Sequence, residues 1–258
     1  YMDPHQPYLP SQEHLRGITS KEIDPLKMLY PQFRAGAGWG VSDDTLEDLR
    51  LLYDATVRQA DASIGRLVDF LRREGIRDEI CLIIAGDHGE EFQEHGHLAH
   101  YPKLYNELIN VPLIIDHPKG EYQEVSEAVG LGSIPPTVCD VMDVKVEKRG
   151  IFEESSLRNV VLNGESPRDK PAMSVAVRKG NPTDKPIPLS LNDGELLVSA
   201  RTEDWTYIHH TESGERELYD RNSDRGEHHN LLKNGTHDVP DQLHHRVEKH
   251  VRKIKGGK

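Results

Sequence analysis

The sequence is poor in cysteine, long apolar runs and positive charge, and each shortage closes off a class of function. Only two cysteines occur. Cys81 sits in an apolar run and Cys139 in "PPTVCDVMD", with no C-x-x-C or zinc spacing between them, so neither a redox motif nor a thiolate metal site is readable and both read as buried thiols. No stretch approaches the ~18 apolar residues of a membrane helix, and no basic leader precedes an apolar segment, so the expectation is a soluble chain with no membrane partner. Acidic residues outnumber basic ones by 44 to 32, and the net charge of -12 argues against a general affinity for nucleic acid or anionic membrane. An anionic substrate would need a local positive centre. The first residue is Tyr1 rather than Met, which suggests a chain cut from something longer, so the compartment is not readable.

What is present is an ordinary globular composition over 258 residues, enough for one large α/β domain or a domain with a smaller companion. Residues 1–40 look irregular. From Leu46 onward, Leu49, Leu52, Tyr53, Val57, Ala60, Ile64, Leu67, Val68 and Leu71 fall at helical spacing; Asp44 with Glu47 resembles a capping box, and Gly75 suits a left-handed cap. "EICLIIAGD" (79–87) and "NVPLIIDHP" (110–118) read as strands buried on both faces, as in a parallel sheet, with a short helix near Lys103 to Leu108 between them. "GSIPPTVCDVMDV" predicts a helix with prolines in its first turn. Composition shifts near residue 150. Beyond it "PAMSVAV", "ELLVSARTEDWTYIHH" and "ERELYD", separated by turn signals such as "NDG" and "ESGE", predict a small antiparallel sheet before a basic, His-rich terminal helix.

The chemistry concentrates in "AGDHGEEFQEHGHLAHYPKLYNEL" (85–108). Asp87 and His88 follow a strand at its carboxyl end, where open α/β sheets bind ligands. An oxygen and an imidazole donor suit Mg, Mn or Zn better than Ca, but two ligands are not a site, and the H-E-x-x-H spacing is absent. Spacing alone leaves metal binding and a solvated acidic loop as equal alternatives. Glu90, Glu91 and Glu94 read as a solvated face, with one of them a candidate acceptor from a ligand histidine, and His95 and His97 read as loop histidines.

"DHGEEFQEHGHLAHYPKLYNELINVPLII" resembles the sulfatase family of the alkaline phosphatase superfamily, and three further stretches agree in order. These are "MDPHQPYLP" (2–10), "LYDATVRQADASIGRLVDFL" (52–71) and "RTEDWTYIHHTESGERELYDRNSDRGEHHNLL" (201–232). The resemblance runs through nearly the whole chain. It implies an alkaline-phosphatase-like α/β fold, a mostly parallel sheet flanked by helices, with residues 1–150 in the α/β domain and 151–258 in a small antiparallel C-terminal subdomain. It also implies hydrolysis of a small-molecule sulfate ester with one divalent metal ion, Ca, Mg or Mn. By residue, it makes Asp87 and His88 metal ligands, His5 a contact to the transferred group, and His100 the residue that binds that group or protonates the leaving oxygen. The family's nucleophile motif, Cys/Ser-x-Pro-x-Arg, is missing: Cys81 continues into "LIIA" and Cys139 into "DVMD". The chain therefore looks like the C-terminal part of a sulfatase, inactive by itself. A phosphonate monoester or phosphodiester hydrolase of the same superfamily, and a non-catalytic scaffold, are the alternatives.

Overall fold

The computed structural model describes residues 4–36, 38–147, 152, 154–167, 170–178, 194–233, 235 and 237–255. In chain order these form α1 (Gln12–Arg16), α2 (Leu29–Gly36), α3 (Asp43–Arg73), β1 (Leu82–Ala85), β2 (Glu91–Phe92), β3 (Leu98–Ala99), α4 (Asn106–Ile109) and β4 (Leu113–Asp116). After them come α5 (Ile134–Val141), α6 (Arg158–Asn163), β5 (Ala172–Arg178), β6 (Glu195–Arg201), β7 (Trp205–His210), β8 (Arg216–Asp220) and α7 (Asp241–Lys255). They group into two compact units, one of residues 1–80 with 90–101, the other of 81–89 with 102–258. No helix among the described residues is long and apolar enough to cross a membrane.

The first unit is organised by α3, a 31-residue helix. Its start lies slightly upstream of the expected Asp44 box: the Ser42 hydroxyl accepts the Thr45 amide, Asp43 and Asp44 occupy the positive first turn, and Arg72 and Arg73 the negative last one. Gly75 takes the left-handed conformation (φ 71°) just past the end. Leu46, Leu49, Leu52 and Ala55 leave water on one face and pack with Tyr8, Leu15, Ile23, Ala35, Phe92 and Leu98. Each fully buried Leu contributes about 1.5–3 kcal/mol, which is why the apolar spacing decides the element.

In the second unit β5 to β8 form a sheet in sequential order, every pair antiparallel, as the alternating pattern predicts. The "NDG" turn lies outside the described residues. Period-two alternation gives β6 two apolar faces. Leu196, Val198 and Ala200 pack with Leu243 and Val247 of α7, while Leu197 meets Leu104, Ile208 and Tyr219 on the other side. The terminal helix is thus amphipathic packing. The helix of "IPPTVCDV" carries its prolines at the first positions, where the missing N–H costs nothing.

Three expectations are corrected here. β1 and β4 pair antiparallel, with Ile83 opposite Ile115. The connection through α4 returns β4 in the reverse direction, and a parallel pair would need a crossover back to the same end. Nor are these strands buried on both faces, since Ile114 is 53% exposed. Cys81 and Cys139 are free and only partly buried.

Candidate active site

The residues singled out from the sequence divide between the two units. Asp87 and His88, in the second, follow β1 and are both exposed. Their loop is pinned from behind: the Gly89 amide donates to the Leu108 carbonyl of α4 at 2.8 Å, and a Cβ on Gly89 would lie 2.0 Å from the Glu107 carbonyl oxygen. Only glycine permits that approach. The Asp87 carboxylate accepts its neighbour's amide (His88 N to Oδ1, 3.0 Å), and His88 Nδ1 lies 2.9 Å from the Gly89 carbonyl. A carbonyl accepts but cannot donate, so Nδ1 carries the proton and Nε2 keeps the lone pair a metal would use. In donor type the pair fits a divalent cation; in number it does not, because no group of three or more His, Cys, Asp or Glu that could hold a metal occurs among the described residues.

α4 is itself held by buried carboxylates of the C-terminal part of this unit. Glu227, 1% exposed, accepts the Asn106 amide at the start of α4 (2.7 Å); burial pushes its carboxyl up, opposed by the Arg201 charge. Glu217 accepts from Tyr105 Oη (3.0 Å), His210 Nε2 (2.6 Å) and the Tyr219 hydroxyl. Burial alone would raise the Glu217 carboxyl, but these donors outweigh it and hold the group below its ordinary range. Arg201, whose guanidinium burial lowers to about 10, donates to the Asn106 side chain.

His5 and His100 lie in the first unit, and the fold brings them together across 95 residues of sequence: their ring centroids are 5.0 Å apart. His100 Nδ1 is 3.1 Å from Glu90 Oε1, and Glu90 Oε2 accepts the Tyr8 hydroxyl at 2.7 Å. The Glu90 side chain is only 4% exposed. Burial, then the facing Glu90 charge, drives the Tyr8 hydroxyl far up, so it remains a donor at any working pH. Ala99, directly before His100, adopts a left-handed backbone (φ 67°), which costs an L-residue on the order of 1–2 kcal/mol and turns the chain at the base of the histidine.

The acidic run is therefore only partly a solvated face: Glu94 is exposed, while Glu90 and Glu91 are turned inward. Glu91 is fully buried and accepts the amides of His95 (3.0 Å) and His97 (2.8 Å), while Glu94 accepts the Phe92 amide and pairs with Arg50 at 3.1 Å. The tight turn between β2 and β3 strands amides without ladder partners, and the carboxylates satisfy them. The His97 ring stacks on Tyr101, centroids 4.9 Å apart. Sequence reasoning missed Glu90 and Tyr8; the signal was there in "HQPY", where Tyr8 is fixed three residues after His5, and in an acid ten residues before His100.

The sulfatase family model matches residues 1–144. N-acetylglucosamine-6-O-sulfatase of Bacteroides thetaiotaomicron is 29% identical over 186 residues, 70% of this chain and 31% of that protein. Arylsulfatase K of Xenopus laevis is 23% identical over 146 residues, covering 54% of this chain and 27% of that protein. Among solved structures, the putative sulfatase yidJ from Bacteroides fragilis superposes with a TM-score of 0.77 at 18% identity, covering 98% of this chain and 52% of that one. A structure in complex with its substrate D-glucosamine-2-N,6-O-disulfate gives 0.66 at 24% identity, covering 90% and 46%. Phosphonate monoester hydrolase from Silicibacter pomeroyi gives 0.67 at 20%, covering 98% and 53%. The chain thus spans about a third of the curated relatives and about half of the solved ones.

Proposed function

From the premise that this chain belongs to the sulfatase family, we propose that it is the part of a sulfate monoester hydrolase that carries the proton donor and two metal ligands. The observation that carries this reading is the His5, His100, Glu90 and Tyr8 cluster. Glu90 holds the Nδ1–H of His100, which fixes the ring and leaves Nε2–H to deliver a proton to the departing alkoxide. The Nδ1 proton stays in place throughout, so the histidine ends neutral and correctly oriented. Tyr8 saturates the second oxygen of Glu90 and prevents that carboxylate from turning away. His5, beside His100, contacts the sulfate oxygens. Asp87 and His88 would hold a divalent cation, Ca, Mg or Mn, which when bound neutralises ester oxygens and lowers a nucleophile's pKa. The remaining ligands and a formylglycine-type nucleophile come, in this reading, from outside these 258 residues, so the isolated chain is inactive.

The relatives suggest a small sulfated saccharide as substrate, since one is named for N-acetylglucosamine 6-O-sulfate and a solved neighbour holds a glucosamine disulfate. We keep residues 1–150 as part of the α/β domain and 151–258 as its C-terminal subdomain. A phosphonate monoester hydrolase is the second reading, favoured by the Silicibacter pomeroyi neighbour, and paired turnover of aryl sulfates and aryl phosphonates separates the two. The test of the proton donor uses leaving groups. In the complete enzyme His100→Ala should slow poorly activated alkyl sulfates by about 10²-fold or more and nitrophenyl sulfate far less, because a stabilised phenolate needs no proton. A uniform loss across leaving groups would assign His100 to sulfate binding instead.

A further inference from the structure

α2 is amphipathic in the wrong sense. Its inward positions hold Gln32, 1% exposed, and Ala35, 3% exposed, while Tyr30 and Phe33 stand 69% and 75% in solvent; Trp39, just past the helix, is 63% exposed. Tyr30, Phe33 and Arg34 share one face by their spacing of three and four residues. The Arg34 guanidinium carbon lies 5.9 Å from the Tyr30 ring centre and 5.2 Å from that of Trp39. Its Nε is buried without a hydrogen-bond partner, and no carboxylate pairs with it among the described residues. In a chain with 44 acidic side chains against 32 basic ones, an arginine left unpaired between two exposed rings is unusual.

The reverse face explains why these rings do not collapse inward. Gln32 Oε1 accepts the Tyr8 amide at 2.7 Å, and its main-chain carbonyl accepts the Gln6 side chain at 2.8 Å. The helix is thereby fixed to the segment that carries His5, and its aromatic side is held outward on the same compact unit as His5 and His100.

We propose that Tyr30, Phe33, Trp39 and Arg34 form a binding platform for a pyranose ring bearing an anionic group, a sulfated saccharide. The anionic sulfate rests on the hydrolase reading above; the stacking does not. Aromatic faces are electron-rich, and the axial C–H bonds of a pyranose present a weakly positive surface that packs flat on them. Arginine supplies planar, two-pronged hydrogen bonding to an oxyanion such as sulfate, and it stacks on the rings at the same time. Size decides against a protein partner. Three aromatic side chains present roughly 150–250 Å² each, two thirds of it exposed, so the patch offers about 300–500 Å². A stable protein interface takes about 800 Å² from each side, whereas one or two sugar rings are covered by the smaller area.

The test is calorimetric titration of the complete protein with a heparin-derived, glucosamine-containing tetrasaccharide and with its chemically desulfated counterpart. The unsubstituted protein should bind the sulfated form more tightly. Trp39→Ala and Phe33→Ala should each weaken it about tenfold; Arg34→Gln should do the same and abolish the preference over the desulfated form. Phe33 and Trp39 stand largely in solvent, and unchanged circular dichroism will show that all three variants fold. Affinities that ignore all three substitutions overturn the platform, as does equal binding of the two saccharides. A concentration-dependent dimer that Trp39→Ala dissociates would assign the patch to self-association and also overturn it. Turnover of 4-nitrophenyl sulfate by the unsubstituted protein is measured separately: its absence sinks the hydrolase reading and leaves the platform result readable.

Discussion

Replacing Glu217 by alanine removes the acceptor shared by three donors. Tyr105, His210 and Tyr219 all point at this carboxylate, and Tyr219 and His210 are 4% and 5% exposed, so water cannot replace it. Hydrogen bonds to a charged group are each worth about 1.5–3 kcal/mol. Three of them give about 5–9 kcal/mol, from which the several kcal/mol spent on burying a carboxylate must be subtracted. A loss of about 3–5 kcal/mol is expected for Glu217→Ala, in line with breaking a buried charged pair from one side. Glu217→Gln keeps the shape but turns one donor toward other donors, and should lose less. Urea unfolding followed by circular dichroism reads both. The acid dependence is a second handle: the folded state holds this carboxyl below its ordinary range, so its stabilisation is full above the unfolded value of about 4.3 and is lost as pH falls through the folded pKa. Glu217→Ala should erase that acid limb. A cost below about 1 kcal/mol at pH 7, with the limb intact, would show that the cluster does not hold the sheet to Tyr105 and α4.

Two further outcomes follow from the same region. Gly89→Ala places a methyl against the Glu107 carbonyl, so it should cost about 1–3 kcal/mol or more and disturb the Asp87 and His88 loop; an unchanged urea midpoint would contradict the close approach. Glu227 behaves oppositely to Glu217: burial raises its folded pKa, so its stabilisation is present below the unfolded value and lost as pH rises through the folded one. Glu227→Gln, which still accepts the Asn106 amide, should gain on the unsubstituted protein between pH 4 and pH 8, and a gap that stays constant with pH would refute the assignment.

Those elements were legible in sequence where one local pattern decides the structure. The apolar spacing from Leu46 to Leu71 admits nothing but a helix, and the alternation in "ELLVSAR" and "WTYIHH" admits little but hairpin strands. "LIIA" and "PLIID" carry no such information about direction. A short Ile-rich run suits either pairing, and only the course of residues 86–112 decides that the pair is antiparallel. At the candidate site, His5 and His100 were singled out through resemblance to sulfatases. Glu90 was not, because an acidic run looks solvated until the turn between β2 and β3 is built and its stranded amides are counted. The aromatic face of α2 was hidden for a related reason: periodicity identifies a two-sided helix, but not which side is turned to water.

The antiparallel pair of β1 and β4 matters to anyone handling this chain. It is a two-stranded ribbon, and among the described strands nothing pairs with either outer edge. Two strands alone are only marginally stable in water. An edge bearing isoleucine offers its amides and carbonyls to any other extended chain, with no proline or lysine in "LIIA" to discourage it. Concentrated or heated, preparations of these 258 residues should aggregate from that ribbon before the helical unit melts, and a lysine placed at Ile114, already half in solvent, is the substitution that should keep them in solution.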